Sequence, residues 1–243
     1  MRVSVVAEIA SNWEGDLNIA RKLIFGSKKA GADAVKFQMW RTKDLYDEKH
    51  PDWDVIKKSE LTFEKTKKIK KISDEAKIEF FCSAFYPEAV DFLESIGVKK
   101  YKVASRTCLF KDPFSYEVLL KKANTRKKII VSMGMGGNKQ KIKKIFRKNQ
   151  TIFCYCISDY PTLIEKINWK EAIKYDGFSD HTLGVAAPLI YTILKMQQGS
   201  KKILIEKHIK LSNSKGPDAS TSLDVNDLSL LISRIRKIQK TKL

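Results

Sequence analysis

Short apolar runs recur along the chain, and between them apolar residues fall three and four positions apart. VSVVAEI (3–9) comes first, followed by an amphipathic pattern over Asp16–Ala30. DAVKFQ (33–38) is followed by a polar excursion carrying Trp40 and Trp53, then by a helical pattern over Thr62–Ala76. IEFFCSAF (78–85) precedes PEAVDFLESIG, a short helix opened by proline, which suits a first turn. YKVAS (101–105) leads to a helix over Pro113–Lys122, and KIIVSMG (128–134) to a lysine-rich one. TIFCYC (151–156), YDGFSD (175–180) and KILIEKH (202–208) complete the apolar runs, with helices predicted over Val185–Met196 and 224–239. Runs this continuous in apolar character are strands buried on both faces, as in a parallel sheet covered by helices. Eight such units in 243 residues predict an α/β fold, a single-domain (β/α)8 TIM barrel over 1–243. The competing open, doubly wound sheet calls for a glycine-rich dinucleotide loop, and GMGG at 134–137 has the wrong spacing for one.

A barrel gathers its chemistry at the C-terminal ends of its strands. Those ends read Glu8; Lys36 and Gln38; Ser83; Lys102 and Ser105; Ser132; Ser158 and Tyr160; Ser179, Asp180 and His181; Glu206 and His208. All eight are polar or ionisable. His181 and His208 lie 27 residues apart, one strand–helix step, and so belong to neighbouring strands. Neutral imidazoles suit borderline divalent metals, and two ligands with open positions suit a catalytic ion rather than a structural one. A lysine inside a β-core is costly unless paired, so Lys36 and Lys102 need Glu8, Glu206 or a substrate anion as partner. A Schiff-base role for one of them, as in a barrel aldolase or lyase, is the alternative at this level. Gly216-Pro217 marks a turn after the last strand, and Asp218 is expected over the mouth.

Composition narrows the partners. The net charge is +19, which invites a nucleic-acid reading, but eight arginines stand against 39 lysines. Arginine is the base-reading cation, and the lysines fall in helical runs that read as solvated faces, so no nucleic-acid partner is expected. The positive field would instead draw in a small anionic substrate. No apolar run reaches membrane-spanning length, the N-terminus turns polar too early for a secretory signal, and none of the four cysteines forms a CxxC pair. The expectation is a cytoplasmic protein with reduced, buried thiols.

The segments AEIASNWEGDLNIARKLI, AGADAVKFQ, FFCSAF, YKVAS, SMGM, SDHTLG, IEKH and GPD occur here in the order seen in sialic acid synthases, so the chain resembles that family from about Val3 to Ile238. The resemblance implies a barrel enzyme that condenses phosphoenolpyruvate with an N-acetylated hexosamine of N-acetylmannosamine type. The product is a nonulosonic acid, and phosphate is released. It implies a divalent metal, Mn2+ or Mg2+, on His181 and His208, and an anion grip made of Lys36, Lys102, Ser83, Ser105 and Ser132. It places Glu8, Glu206 and Lys102 in the catalytic set, Asp218 near the sugar, and Ser158 and Tyr160 along the acceptor pocket.

Two departures stand out. The family reads serine-glycine-glutamate after the fourth strand, and that glutamate is assigned acid/base work; here Ser105 is followed by Arg106 and Thr107. A threonine hydroxyl is no carboxylate base near neutral pH, so Glu8 or Asp159 must substitute, or the chain is a non-catalytic relative that binds metal and anion only. The chain also stops after the barrel's last helix. The C-terminal antifreeze-like domain of the family is therefore expected to be absent, with a homodimer of other form or a separately encoded partner domain in its place.

Overall fold

The computed structural model describes residues 1–214 and 216–241; Lys215, in the segment where the sequence predicts a turn, and Lys242 and Leu243, at the end of the predicted 1–243 domain, lie outside the described residues. Eight parallel strands close on themselves in sequence order: β1 (Arg2–Glu8), β2 (Ala34–Met39), β3 (Glu79–Ala84), β4 (Lys100–Val103), β5 (Lys128–Ser132), β6 (Thr151–Cys156), β7 (Gly177–Asp180) and β8 (Lys202–His208). β1 pairs with β8 along its whole length, from Arg2 opposite Lys202 to Glu8 opposite His208. The helices are α1 (Leu17–Ala30), α2 (Thr42–Leu45), α3 (Trp53–Lys58), α4 (Phe63–Glu75), α5 (Pro87–Ser95), α6 (Ser115–Asn124), α7 (Lys139–Ile145), α8 (Trp169–Ala172), α9 (Ala186–Gln197) and α10 (Val225–Lys240). This is the (β/α)8 barrel that the apolar pattern predicts. None of the described helices is long and apolar enough to cross a membrane.

Local chemistry sets the helix ends. Asp16 accepts from the Asn18 N–H at the start of α1, and Gly31 closes that helix at φ 91°, a conformation costly to any residue with a Cβ. Thr62 accepts from the Lys65 N–H, and Asp224 from the N–H groups of Asn226 and Asp227. α6 begins two residues later than the pattern suggests, because Arg106–Leu109 coil into a 3-10 turn and Phe114 sits at φ 62°. The polar excursion after β2 contains two short helices, α2 and α3, too brief for periodicity to reveal.

The barrel interior is layered. Val6, Ala34, Phe81, Ile130, Cys154 and Leu204 fill its lower part as an apolar plug. Outside, residues such as Val5, Val35, Val131 and Ile205 pack against the helices in the larger core. Strand alternation then places the next inward residue of each strand above the plug, where the chain turns polar. All four cysteines are free and buried.

Candidate functional site

Above the plug lies a cavity of about 610 Å³ open at the C-terminal mouth. Its floor is an ion network. Lys36 pairs with Glu8 and reaches Glu206 at 3.4 Å, while Lys102 pairs with the other oxygen of Glu206. Ser179 donates to Glu206 at 2.7 Å. The two glutamates are held differently. Burial pushes the Glu8 carboxyl well up, against the pull of Lys36. Burial works the same way on Glu206, but Lys102 and Lys36 together outweigh it and hold that carboxyl below the usual range. Burial likewise opposes a charge on Lys36, and Glu206 and Glu8 more than offset it, so the ammonium form persists. A Schiff-base nucleophile must shed its proton, so this pairing argues against the aldolase alternative for Lys36.

The cavity wall also carries hydroxyls. Ser83 and Ser132 are buried and their oxygens have no hydrogen-bond partner, a costly arrangement that an anion at this level would relieve. Ser105 accepts from the Gly134 N–H at 2.9 Å and lies 3.9 Å from the Cys156 sulfur. Gly134 is required there: a Cβ would come within 2.7 Å of the Ser158 hydroxyl and 2.9 Å of the Cys156 sulfur. Gln38 and Ser158 line the same space.

His181 and His208 stand at the rim with ring centroids 5.3 Å apart. Burial, with His208 adjacent, lowers His181 to about 4; burial, with Lys36 close by, lowers His208 to about 3. Both are neutral near pH 7. His181 Nδ1 lies 2.7 Å from the Ile157 carbonyl and so carries the proton, leaving Nε2 with its lone pair free. Nδ1 of His208 is buried without a partner. Neutral imidazoles with uncommitted nitrogens fit a divalent cation. Among the described residues no cluster of three His, Cys, Asp or Glu side chains is arranged to hold an ion, so one bound here would keep open positions. The half-exposed Tyr160 ring covers His181 at 4.2 Å, and Asp218 accepts from Ser11 at 2.9 Å across the mouth.

Asp180, which pairs with Lys207 at 2.6 Å, falls outside the cavity lining, and so does Thr107, buried within the 3-10 turn. Arg106 takes its place at the wall, held by two 2.8 Å bonds to Asp112 and with its guanidinium 5.6 Å from the Tyr46 ring. Asp159 does not line the cavity either, and pairs with Lys166 at 2.6 Å. Of the two acids read as substitutes for the missing glutamate, Glu8 is the one that lines the cavity, together with Glu206, Asp112 and Asp218. Strand-end reading missed two parts of the site. Cys156 shares the inward face of Cys154 by alternation, which was a usable signal. The wall of Trp40, Tyr46 and Ile56 comes from the excursion after β2, which offers none, and Phe85 joins it from the end of β3.

Fold and site together define a (β/α)8 barrel whose mouth sets buried ammonium groups and orphan hydroxyls beside a pair of neutral imidazoles. The model of the NeuB family matches residues 23–242, and the chain belongs to that family, the sialic acid synthases. It is 33% identical over 250 residues to an uncharacterized protein of Methanocaldococcus jannaschii, covering 97% of this chain and 71% of that one. It is 32% identical over 265 residues to N,N'-diacetyllegionaminic acid synthase of Campylobacter jejuni, covering 97% and 76%. The N-acetylneuraminic acid synthetase of Leptospira borgpetersenii, solved with citrate, superposes with a TM-score of 0.87 at 26% identity, covering 99% of this chain and 85% of that one.

Proposed function

We propose that the protein condenses phosphoenolpyruvate with an N-acetylated amino sugar, a carbon–carbon bond forming at the sugar aldehyde, and that one water is taken up as phosphate leaves, giving a nonulosonic acid. The reading is carried by the buried Lys36 and Lys102 ammonium groups beside the orphan Ser83 and Ser132 hydroxyls, in the same cavity as the histidine pair. Related chains are named as synthases of legionaminic, pseudaminic and neuraminic acids, which supports the substrate class.

Lys36, Lys102 and the serines bind the carboxylate and phosphate of the enol substrate at the floor and offset the charge that grows as phosphate departs. His181 and His208 hold a divalent cation, Mn2+ or Mg2+, which would supply Lewis-acid polarisation of the sugar carbonyl. Tyr160, Ser158 and Asp218 orient the sugar above. Glu8, its carboxyl raised by burial, moves the proton that the absent motif glutamate would have moved.

Incubation with phosphoenolpyruvate, Mn2+ and a panel of N-acetylated amino sugars should release inorganic phosphate with at least one acceptor. No release, with phosphoenolpyruvate and Mn2+ still bound, would instead establish a non-catalytic binder, a reading favoured by the withdrawal of Thr107 from the cavity. Borohydride trapping of a lysine adduct would establish the aldolase.

A further inference from the structure

The seam between β3 and β4 is the shortest of the eight: it registers Cys82 with Tyr101 and Ser83 with Lys102, then stops. Ser83 and Lys102 are both anion-subsite residues, so the ladder ends where the site begins. Just past that point Lys122, on α6, reaches in from outside the barrel. Its side chain is fully buried, and its Nζ donates to the Ala84 carbonyl at 2.7 Å and to the Lys102 carbonyl at 2.9 Å. Among the described residues no carboxylate pairs with it. A buried ammonium without a counter-ion is expensive, and an apolar side chain would fill the same space at lower cost. A neutral amine, by contrast, has two N–H donors, and both are used here. What the lysine adds beyond packing is a rung across the seam after the backbone rungs run out.

We propose that Lys122 is a positioning residue of the anion subsite, tying the end of β3 to the end of β4 so that Ser83 and Lys102 keep their spacing. The inference rests on the anion subsite of the proposed function. Without the rung, the two strand ends part, and displacement of binding groups on the ångström scale is enough to weaken a fixed-geometry site strongly.

Titration calorimetry with phosphoenolpyruvate and, separately, Mn2+ tests it. Lys122→Met should raise the Kd for phosphoenolpyruvate about tenfold or more. Mn2+ affinity should stay within about twofold, and the melting temperature should hold or rise, as replacement of a buried ionisable group by an apolar side chain of similar volume allows. Lys122→Gln, which keeps an N–H donor, should fall between wild type and Lys122→Met; if Lys122→Met does not fold, a Kd for Lys122→Gln equal to wild type overturns the proposal and a raised one supports it. An unchanged phosphoenolpyruvate Kd in Lys122→Met overturns it. So does a parallel loss of phosphoenolpyruvate, Mn2+ and thermal stability, which marks a general structural role. A wild-type protein that binds no phosphoenolpyruvate removes the subsite, and the proposed function fails with it; wild-type binding matched by the variant sinks the positioning role alone.

Discussion

Glu8 and Thr107 stand in contrasting surroundings. Glu8 ends β1 inside the cavity with its carboxyl raised by burial, whereas Thr107 is turned into the 3-10 segment. Glu8→Gln should therefore lower kcat by about 10²–10⁴-fold while phosphoenolpyruvate still binds, a split that steady-state kinetics and calorimetry together resolve. Thr107→Val should leave kcat within about twofold, because acid–base work requires hydrogen-bond reach of the reacting atoms and Thr107 does not line the cavity; a larger loss would return Thr107 to the reaction. Most of the candidate site was legible because strand alternation is strict: once a strand end is found, Glu8, Lys36, Ser83, Ser132 and Glu206 must share one face. Thr107 escaped that logic. It lies beyond the end of β4, where the backbone coils and side-chain direction no longer follows a period of two. Arg106 was visible as a departure, but its bond to Asp112 depends on a turn that no local pattern announces.

At the scale of elements, the long helices were readable from their apolar stripes and capping residues, and the short ones were not. Asp224 illustrates the readable kind: its carboxylate accepts from two N–H groups at the start of α10. Asp224→Ala should cost about 0.5–2 kcal/mol in denaturant unfolding, with the anion site unaffected. α6 illustrates a hidden consequence of packing. Burial lowers the Lys122 amine from 10.5 to about 7, with Cys108, Cys82 and Lys36 around it. Burial also pushes both thiols up, Cys108 to about 12, so neither ionises below that. Between about pH 7 and 10.5 the unfolded chain then holds a proton on this amine that the folded chain lacks, so this contribution to stability rises with pH across that window. Urea unfolding from pH 7 to 9.5 should reveal the slope, and Lys122→Met should flatten it.

Over the whole molecule, a charge of +19 is carried mostly by exposed lysines, while Lys36 and Lys102 lie buried under the mouth. Added salt screens the former far more than the latter. Stopped-flow association of phosphoenolpyruvate should therefore slow as ionic strength rises, with the dissociation rate nearly constant; equal sensitivity of both rates would place the attraction in exposed pairs.

The apolar plug of Val6, Phe81, Ile130 and Leu204 turns the barrel into a cul-de-sac. If the floor holds the enol acid as proposed, that reactant arrives before its companion covers it, and phosphate formed there leaves after the larger product above it. On the proposed function, one mouth above a blind floor predicts an order of arrival: acid first, sugar second. Competition by inorganic phosphate should then be overcome by phosphoenolpyruvate but never by more sugar.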